Sequence, residues 1–224
     1  MKILAMDTAI APGSVALVEN GVIMDQRLLP VTPGQVATLP MALEEMMRAN
    51  GERWSDIQLT VVTQGPGSFT GVRIALGMGK GLSIAHGIPL VGVPTLELLA
   101  AGARQLVGEG AYLLPVLDAR RQEMFTAIYQ IQQGWPVVVG DTFCLSLEHS
   151  LARLLPNGEG YVVALPAMLE QLCLPVGWRG LPVDFSIQLL ALAGERLYQQ
   201  QGGAGPLLEP LYVRPSEAES KRGP

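Results

Sequence analysis

Apolar residues in the first thirty positions fall into short runs divided by turn signals. Ile3-Leu4-Ala5-Met6 reads as a buried strand, residues 14–18 follow a Pro12-Gly13 turn, and residues 22–29 return after Asn20-Gly21. Asn-Gly supplies the two positive-φ residues that a two-residue hairpin turn needs, so a three-strand meander is predicted. The period then changes. Val36, Leu39, Leu43, Met46 and Met47 recur at three and four residues, which marks one apolar face of a helix ending at Asn50-Gly51. Pro40 must sit in its first turn or kink it. Strand-like runs at 59–64 and 90–93 flank a predicted helix over 69–86, and Thr95 caps another helix to about residue 107. Strands alternating with helices imply parallel pairing.

The second half begins the same way. Strands are predicted at 112–118, 123–131, 137–145 and 160–165, with helices at 146–155 and 166–173. The order β-β-β-α-β-α thus occurs twice. Residues 177–182 read as a linker, Ser186 caps a last helix to about residue 200, and the tail 215–224 is expected to be mobile.

Asp7-Thr8, at the end of the first strand and followed by a glycine turn and Ser14, has the form of a phosphate loop. Backbone amides there could face a phosphate while the acid holds a metal through water; the alternative is a turn capped by Asp and Thr. Asp118 ends the matching strand of the second half. Gly65-Pro66-Gly67-Ser68-Phe69-Thr70-Gly71-Val72-Arg73 joins a strand to a helix. It lacks the Gly-Lys-Ser/Thr ending of a phosphate-binding P-loop and the glycine two residues before Ser68 that a nucleophile elbow needs. Ser68 or Thr70 as a helix cap, or an anion at the helix start, remain the readings.

The helix itself carries two rows of small residues. Gly71, Ala75, Gly79 and Ser83 form one, and Gly77, Gly81 and Ala85 the other. Positions two apart lie about 200° around a helix, so the rows occupy opposite sides. Three internal glycines cost about 3 kcal/mol against alanine, which close approach on each side must offset. One side can meet the chain's own sheet; the other can meet the preceding helix or a helix from a partner. Met41, Met46, Met47 and Met78 on these two helices suit a surface that repacks against another protein.

Composition narrows the function. The chain has 224 residues, enough for one large domain or two small ones, and is 49% hydrophobic but 16% charged. A disordered chain is excluded. With a formal charge of −5 and no run of Lys or Arg, it lacks the basic stripe of a nucleic-acid binder. Cys144 and Cys173 are far apart, as are His86 and His149, so no metal-ligand spacing can be assembled. Both cysteines are expected as reduced core residues. No apolar run approaches the ~18 residues of a membrane span, and an acid at position 7 interrupts any signal-peptide core, so a soluble cytoplasmic protein is expected.

The glycine-rich stretch 65–74, with Ile3-Leu4-Ala5-Met6-Asp7-Thr8, Leu117-Asp118-Ala119-Arg120 and Pro210-Leu211-Tyr212-Val213-Arg214, resembles the bacterial TsaB (YeaZ) family along almost the whole chain. The resemblance implies an α/β, actin-like, sugar-kinase and Hsp70-type fold of two related lobes, the second truncated. Residues 1–108 with a C-terminal helix over 186–213 would form the first lobe, 109–185 the reduced second, and 214–224 the tail.

In function, the resemblance implies a non-catalytic partner of TsaD in making threonylcarbamoyladenosine beside the tRNA anticodon, one that helps TsaE dock and forms a homodimer without TsaD. Contact with tRNA would be indirect. Val36, Leu39, Leu43, Met46, Met47, Val72, Ala75, Gly79, Lys80 and Ser83 are the expected partner interface. Asp7, Thr8 and Asp118 would remain as a vestigial nucleotide site, with no resident cofactor beyond weak ATP or ADP with Mg at the complex boundary. TsaD-type relatives bind metal through paired histidines on a helix, a pair this chain lacks, and family members often carry a His-Ser/Thr pair where this chain has Pro33-Gly34-Gln35. A small-molecule kinase or ATPase on the same fold is the alternative. A peptidase would need a nucleophile with a base, or a metal site, and two isolated histidines supply neither.

Overall fold

The computed structural model describes residues 1–30, 35–146, 160–174, 176–203 and 207–213. Val36 lies on a described helix, but its side chain is outside the description, as are His149, the predicted helix at 146–155 and the tail. The chain divides into two compact units, one formed by Met1–Leu98 with Ser186–Pro210 and the other by Leu99–Phe185.

In the first unit, β1 (Lys2–Asp7), β2 (Ser14–Glu19) and β3 (Val22–Leu28) form the predicted meander. Asn20 and Gly21 have φ of 49° and 79°, as the right-handed twist of a tight hairpin demands. Helix α1 (Gln35–Ala49) follows, then β4 (Leu59–Gly65), α2 (Phe69–His86) and β5 (Leu90–Pro94), with β1, β4 and β5 parallel. The sheet order is β3-β2-β1-β4-β5. Pro40 is the sixth residue of α1, past the first turn, where its ring removes one backbone hydrogen bond. Ser68 caps α2, its Oγ accepting from the Gly71 amide at 3.2 Å, and Gly87 ends the helix in the left-handed region with φ 69°.

Leu39, Leu43, Met46 and Met47 of α1 and Val72, Ala75, Leu76 and Leu82 of α2 share one core with Leu4, Met6, Leu17, Val62 and Leu90 of the sheet. On the other face, α5 (Ile187–Gln201), capped by Ser186, packs on β1, β2, β4 and β5. Its Gly194 has no room for a Cβ against Val61.

Helix α3 (Thr95–Ala103) is shorter than its sequence pattern suggests, because Arg104 and Leu106 donate to Ala101 and Ala103 in tight turns. The second sheet holds β6 (Tyr112–Arg120), β7 (Glu123–Gln132), β8 (Trp135–Ser146), β9 (Gly160–Ala164) and β10 (Trp178–Pro182), in the order β10-β9-β6-β7-β8. Numbered from its own first strand, this is the order of the first sheet, so the doubled element order is a doubled topology: an α/β fold of the actin-like, sugar-kinase kind. Helix α4 (Pro166–Leu169), between β9 and β10, spans a single turn, with only tight turns continuing toward Cys173.

Two expectations are corrected here. Residues 178–182 are not a linker but strand β10, parallel to β9, with Trp178 over Gly160 and Leu169 over Gly180. The cysteines are not core residues either: Cys144 is half-buried, its Sγ 3.8 Å from Glu123 Oε2, and Cys173 is exposed.

Candidate functional site

Two regions gather the residues singled out by sequence. The first is the junction of β1 with the glycine loop. Asp7 is fully buried, and Oδ1 accepts from the Ala9 amide at 2.9 Å and from Thr63 Oγ1 at 2.5 Å, while Oδ2 lies 3.4 Å from the Ile10 amide. Burial pushes its pKa up to about 6, although the Thr63 hydroxyl and the two amides pull the other way. Thr8 Oγ1 donates to the Gly71 carbonyl. The loop glycines are spoken for by this contact: a Cβ on Gly67 would lie 2.8 Å from the Ala9 carbonyl oxygen, and one on Gly71 would overlap that of Thr8. Gly67 and Gly71 therefore let the loop lie against the backbone of residues 8 and 9.

Asp118, at the topologically matching end of β6, is exposed. Its Oδ1 accepts from the Arg120 amide at 2.7 Å, the same i to i+2 turn bond that Asp7 makes to Ala9, and Oδ2 pairs with Arg120 at 3.9 Å. Among the described residues, no three His, Cys, Asp or Glu side chains are grouped to hold a metal ion, and no helix is long and apolar enough to cross a membrane.

The second region is the outer face of α1 and α2, and the residues expected at the interface divide here between core and surface. Leu39, Leu43, Met46, Met47, Val72 and Ala75 are buried in the chain's own core. Gly79 faces the sheet, where a Cβ would stand 2.7 Å from Leu90 Cδ1 and 3.3 Å from Val62 Cγ1. Lys80 and Ser83 are half-buried. Of the buried six, Leu39 is also among the residues that line the groove on the outer face.

The opposite row is open. A Cβ on Gly77 or Gly81 would meet nothing within 4 Å. These glycines floor a groove of about 680 Å³ lined by Leu39, Pro40, Phe69, Thr70, Arg73, Ile74 and Met78 as well. The Arg73 guanidinium lies over the Phe69 ring at 3.7 Å, and Ile84 and Met41 stand 72% and 61% exposed on the same two helices. His86, at the end of α2, stacks on Trp54 with ring centroids 5.8 Å apart. An apolar, glycine-floored trough of this kind can seat a helix at short interaxial distance but holds no array of groups for bond chemistry. The sequence signal for it was the Gly77, Gly81, Ala85 row; Pro40, Phe69, Arg73 and Ile74 carried no periodic mark of their own.

Residues 35–172 match the family model for TsaD, tRNA N6-adenosine threonylcarbamoyltransferase. The chain is 38% identical over 130 residues to the tRNA threonylcarbamoyladenosine biosynthesis protein TsaB of Escherichia coli, covering 58% of this chain and 55% of that protein. It is 31% identical over 134 residues to TsaB of Bacillus subtilis, covering 60% and 57%. It thus spans somewhat more than half the length of these curated relatives. YeaZ from Pseudomonas aeruginosa superposes with a TM-score of 0.75 at 26% identity, over 94% of this chain and 99% of that one. Matched by the model across more than half its length and flanked by TsaB relatives, the chain belongs to the TsaD family and, within it, to the TsaB (YeaZ) proteins.

Proposed function

We propose that this chain is a non-catalytic scaffold in the synthesis of tRNA threonylcarbamoyladenosine, and that its α1–α2 face grips a TsaD-type protein and helps TsaE dock. The observation that supports this best is the open Gly77–Gly81 floor: an exposed helix interior that forgoes two side chains loses about 2 kcal/mol of helix propensity, and among the described residues nothing lies within 4 Å of a Cβ there. A partner helix laid in the trough would recover that loss by burying Phe69, Ile74, Met78 and Ile84. In the same reading a second copy of the chain takes the trough when TsaD is absent, tRNA is met only through the complex, and the protein works in the cytoplasm. Any ATP or ADP with Mg is held weakly at the subunit boundary. A kinase or ATPase reading has less support, because the Asp7 carboxylate already accepts from donors of its own turn and of Thr63.

The test is direct. Gly77→Trp and Gly81→Trp fill the trough without touching the core, so both variants are expected to fold normally and to lose TsaD affinity by about tenfold or more, or ~1.4 kcal/mol. Isothermal titration with purified TsaD measures it. Wild-type affinity in two well-folded variants would remove this face as the docking site.

A further inference from the structure

A turn that joins two antiparallel strands ordinarily lies in water. The one between β1 and β2 does not: Thr8, Ala9 and Ile10 are all buried. The start of α2 is laid on it. The Ser68 amide donates to the Ala9 carbonyl at 2.9 Å, and Thr8 Oγ1 donates to the Gly71 carbonyl. Two hydrogen bonds thus tie the cap and the first turn of α2 to residues 8 and 9, at a distance that Gly67 and Gly71 alone permit.

The shape of that turn is set by Asp7. Its carboxyl oxygens face the Ala9 and Ile10 amides, and its third donor, Thr63 Oγ1, comes from β4. Thr63 stands two residues before Gly65, where β4 ends and the glycine loop begins. The end of β4 therefore reaches the start of α2 by two routes, once along the chain through the loop and once through Thr63, Asp7 and the 8–10 turn. Every member of the second route is buried, so loss of one partner would leave donors there without an acceptor, which costs more than the bond itself contributes. Phe69, Thr70 and Arg73, at the end of α2 so held, line the trough with Leu39 and Pro40.

We propose that Asp7 is a positioning residue: through the 8–10 turn its carboxyl sets where α2 begins, and with it the Phe69–Arg73 end of the trough. Fully buried, it touches no partner and acts through Thr8 and Ala9. That this end must be held for a partner to seat rests on the docking reading above. The acid at the position of a phosphate loop then has work that needs no nucleotide.

Residue-resolved hydrogen exchange on the full chain, paired with titration of purified TsaD, tests this. Thr63→Val deletes the donor and keeps the branched shape, Thr63→Ser keeps the hydroxyl, and Asp7→Asn turns one acceptor oxygen into a donor. In Thr63→Val and Asp7→Asn the Ser68, Gly71 and Val72 amides are expected to exchange about tenfold faster or more, with those of Leu82 and Leu17 unchanged. TsaD affinity is expected to fall about tenfold in the same two variants, and Thr63→Ser to match wild type in both measurements. Unchanged exchange at the three amides overturns the proposal. Uniform acceleration overturns it as well, since Asp7 would then be an ordinary part of the cooperative core. So does local acceleration with wild-type affinity where Gly77→Trp has lost it, because the trough would then work without this fastening. Should Gly77→Trp also bind normally, the docking reading is what fails; local acceleration then still supports the hold of Asp7 on α2, and its absence still overturns it.

Discussion

The Asp7 carboxyl is fully buried and accepts from two backbone amides and one hydroxyl. Its pKa is pushed up to about 6 by burial, so the folded chain holds this proton more tightly than the unfolded chain, whose value is 3.8. The sign follows: the contribution to stability is full below about pH 3.8 and is lost as pH rises through about 6. Replacing Asp7 with Asn removes the titration, so the urea midpoint of wild type relative to Asp7→Asn should fall between pH 4 and pH 6.5, a window set by those two values. A difference that stays flat, or rises, across that range would mean the buried group remains charged throughout. This side chain also shows why residue type alone left two readings open. Asp-Thr after a buried strand serves a phosphate loop and a capped turn equally well, and one of the donors this carboxyl meets, Thr63, lies 56 positions away.

At the scale of elements, α2 separates what its sequence makes legible from what it leaves hidden. Its bounds, its Ser68 cap and its two small-residue rows are all readable, because caps and periodicity are local. Which row faces inward is not, since Val72, Leu76 and Leu82 on one side are matched by Ile74, Met78 and Ile84 on the other, and only the position of β4 and β5 breaks the tie. Strand β10 escaped notice for a similar reason: Gly180 and Pro182 read as breakers, but an edge strand beside β9 accommodates both, and Gly180 is where Leu169 packs. The two rows of α2 should respond oppositely to the smallest substitution. Gly77→Ala and Gly81→Ala add a methyl into open space and should each stabilise the fold by about 0.5–1 kcal/mol. Gly71→Ala drives the same methyl into the Thr8 carbonyl and should destabilise by several times that amount. Urea denaturation of the three variants reads the difference, and a stabilised Gly71→Ala would show that the loop can retreat from β1.

For the whole molecule, the chain leaves the first unit after Leu98 and comes back at Ser186. What returns is not an accessory. The α5 face of the first sheet presents Ile3, Ala5, Val61, Val91 and Val93, none more than 6% exposed, and α5 packs against the strands that carry them. Gly194 meets Val61 so closely that this contact cannot tolerate even a methyl group. Residues 1–98 by themselves would keep the α1–α2 face covered and leave this opposite face wet. A sheet needs both of its apolar faces buried when its core strands are parallel, because such strands are apolar on each side. The fragment 1–98 is therefore expected to remain unfolded or to aggregate, whereas the same fragment joined to 186–210 by a short Gly-Ser linker should fold, since closing a short loop costs little entropy. Dispersion of amide signals in a two-dimensional NMR spectrum distinguishes the outcomes. A well-dispersed spectrum from 1–98 alone would show that the returning helix is dispensable, and with it the view that the first unit is completed only by the end of the chain.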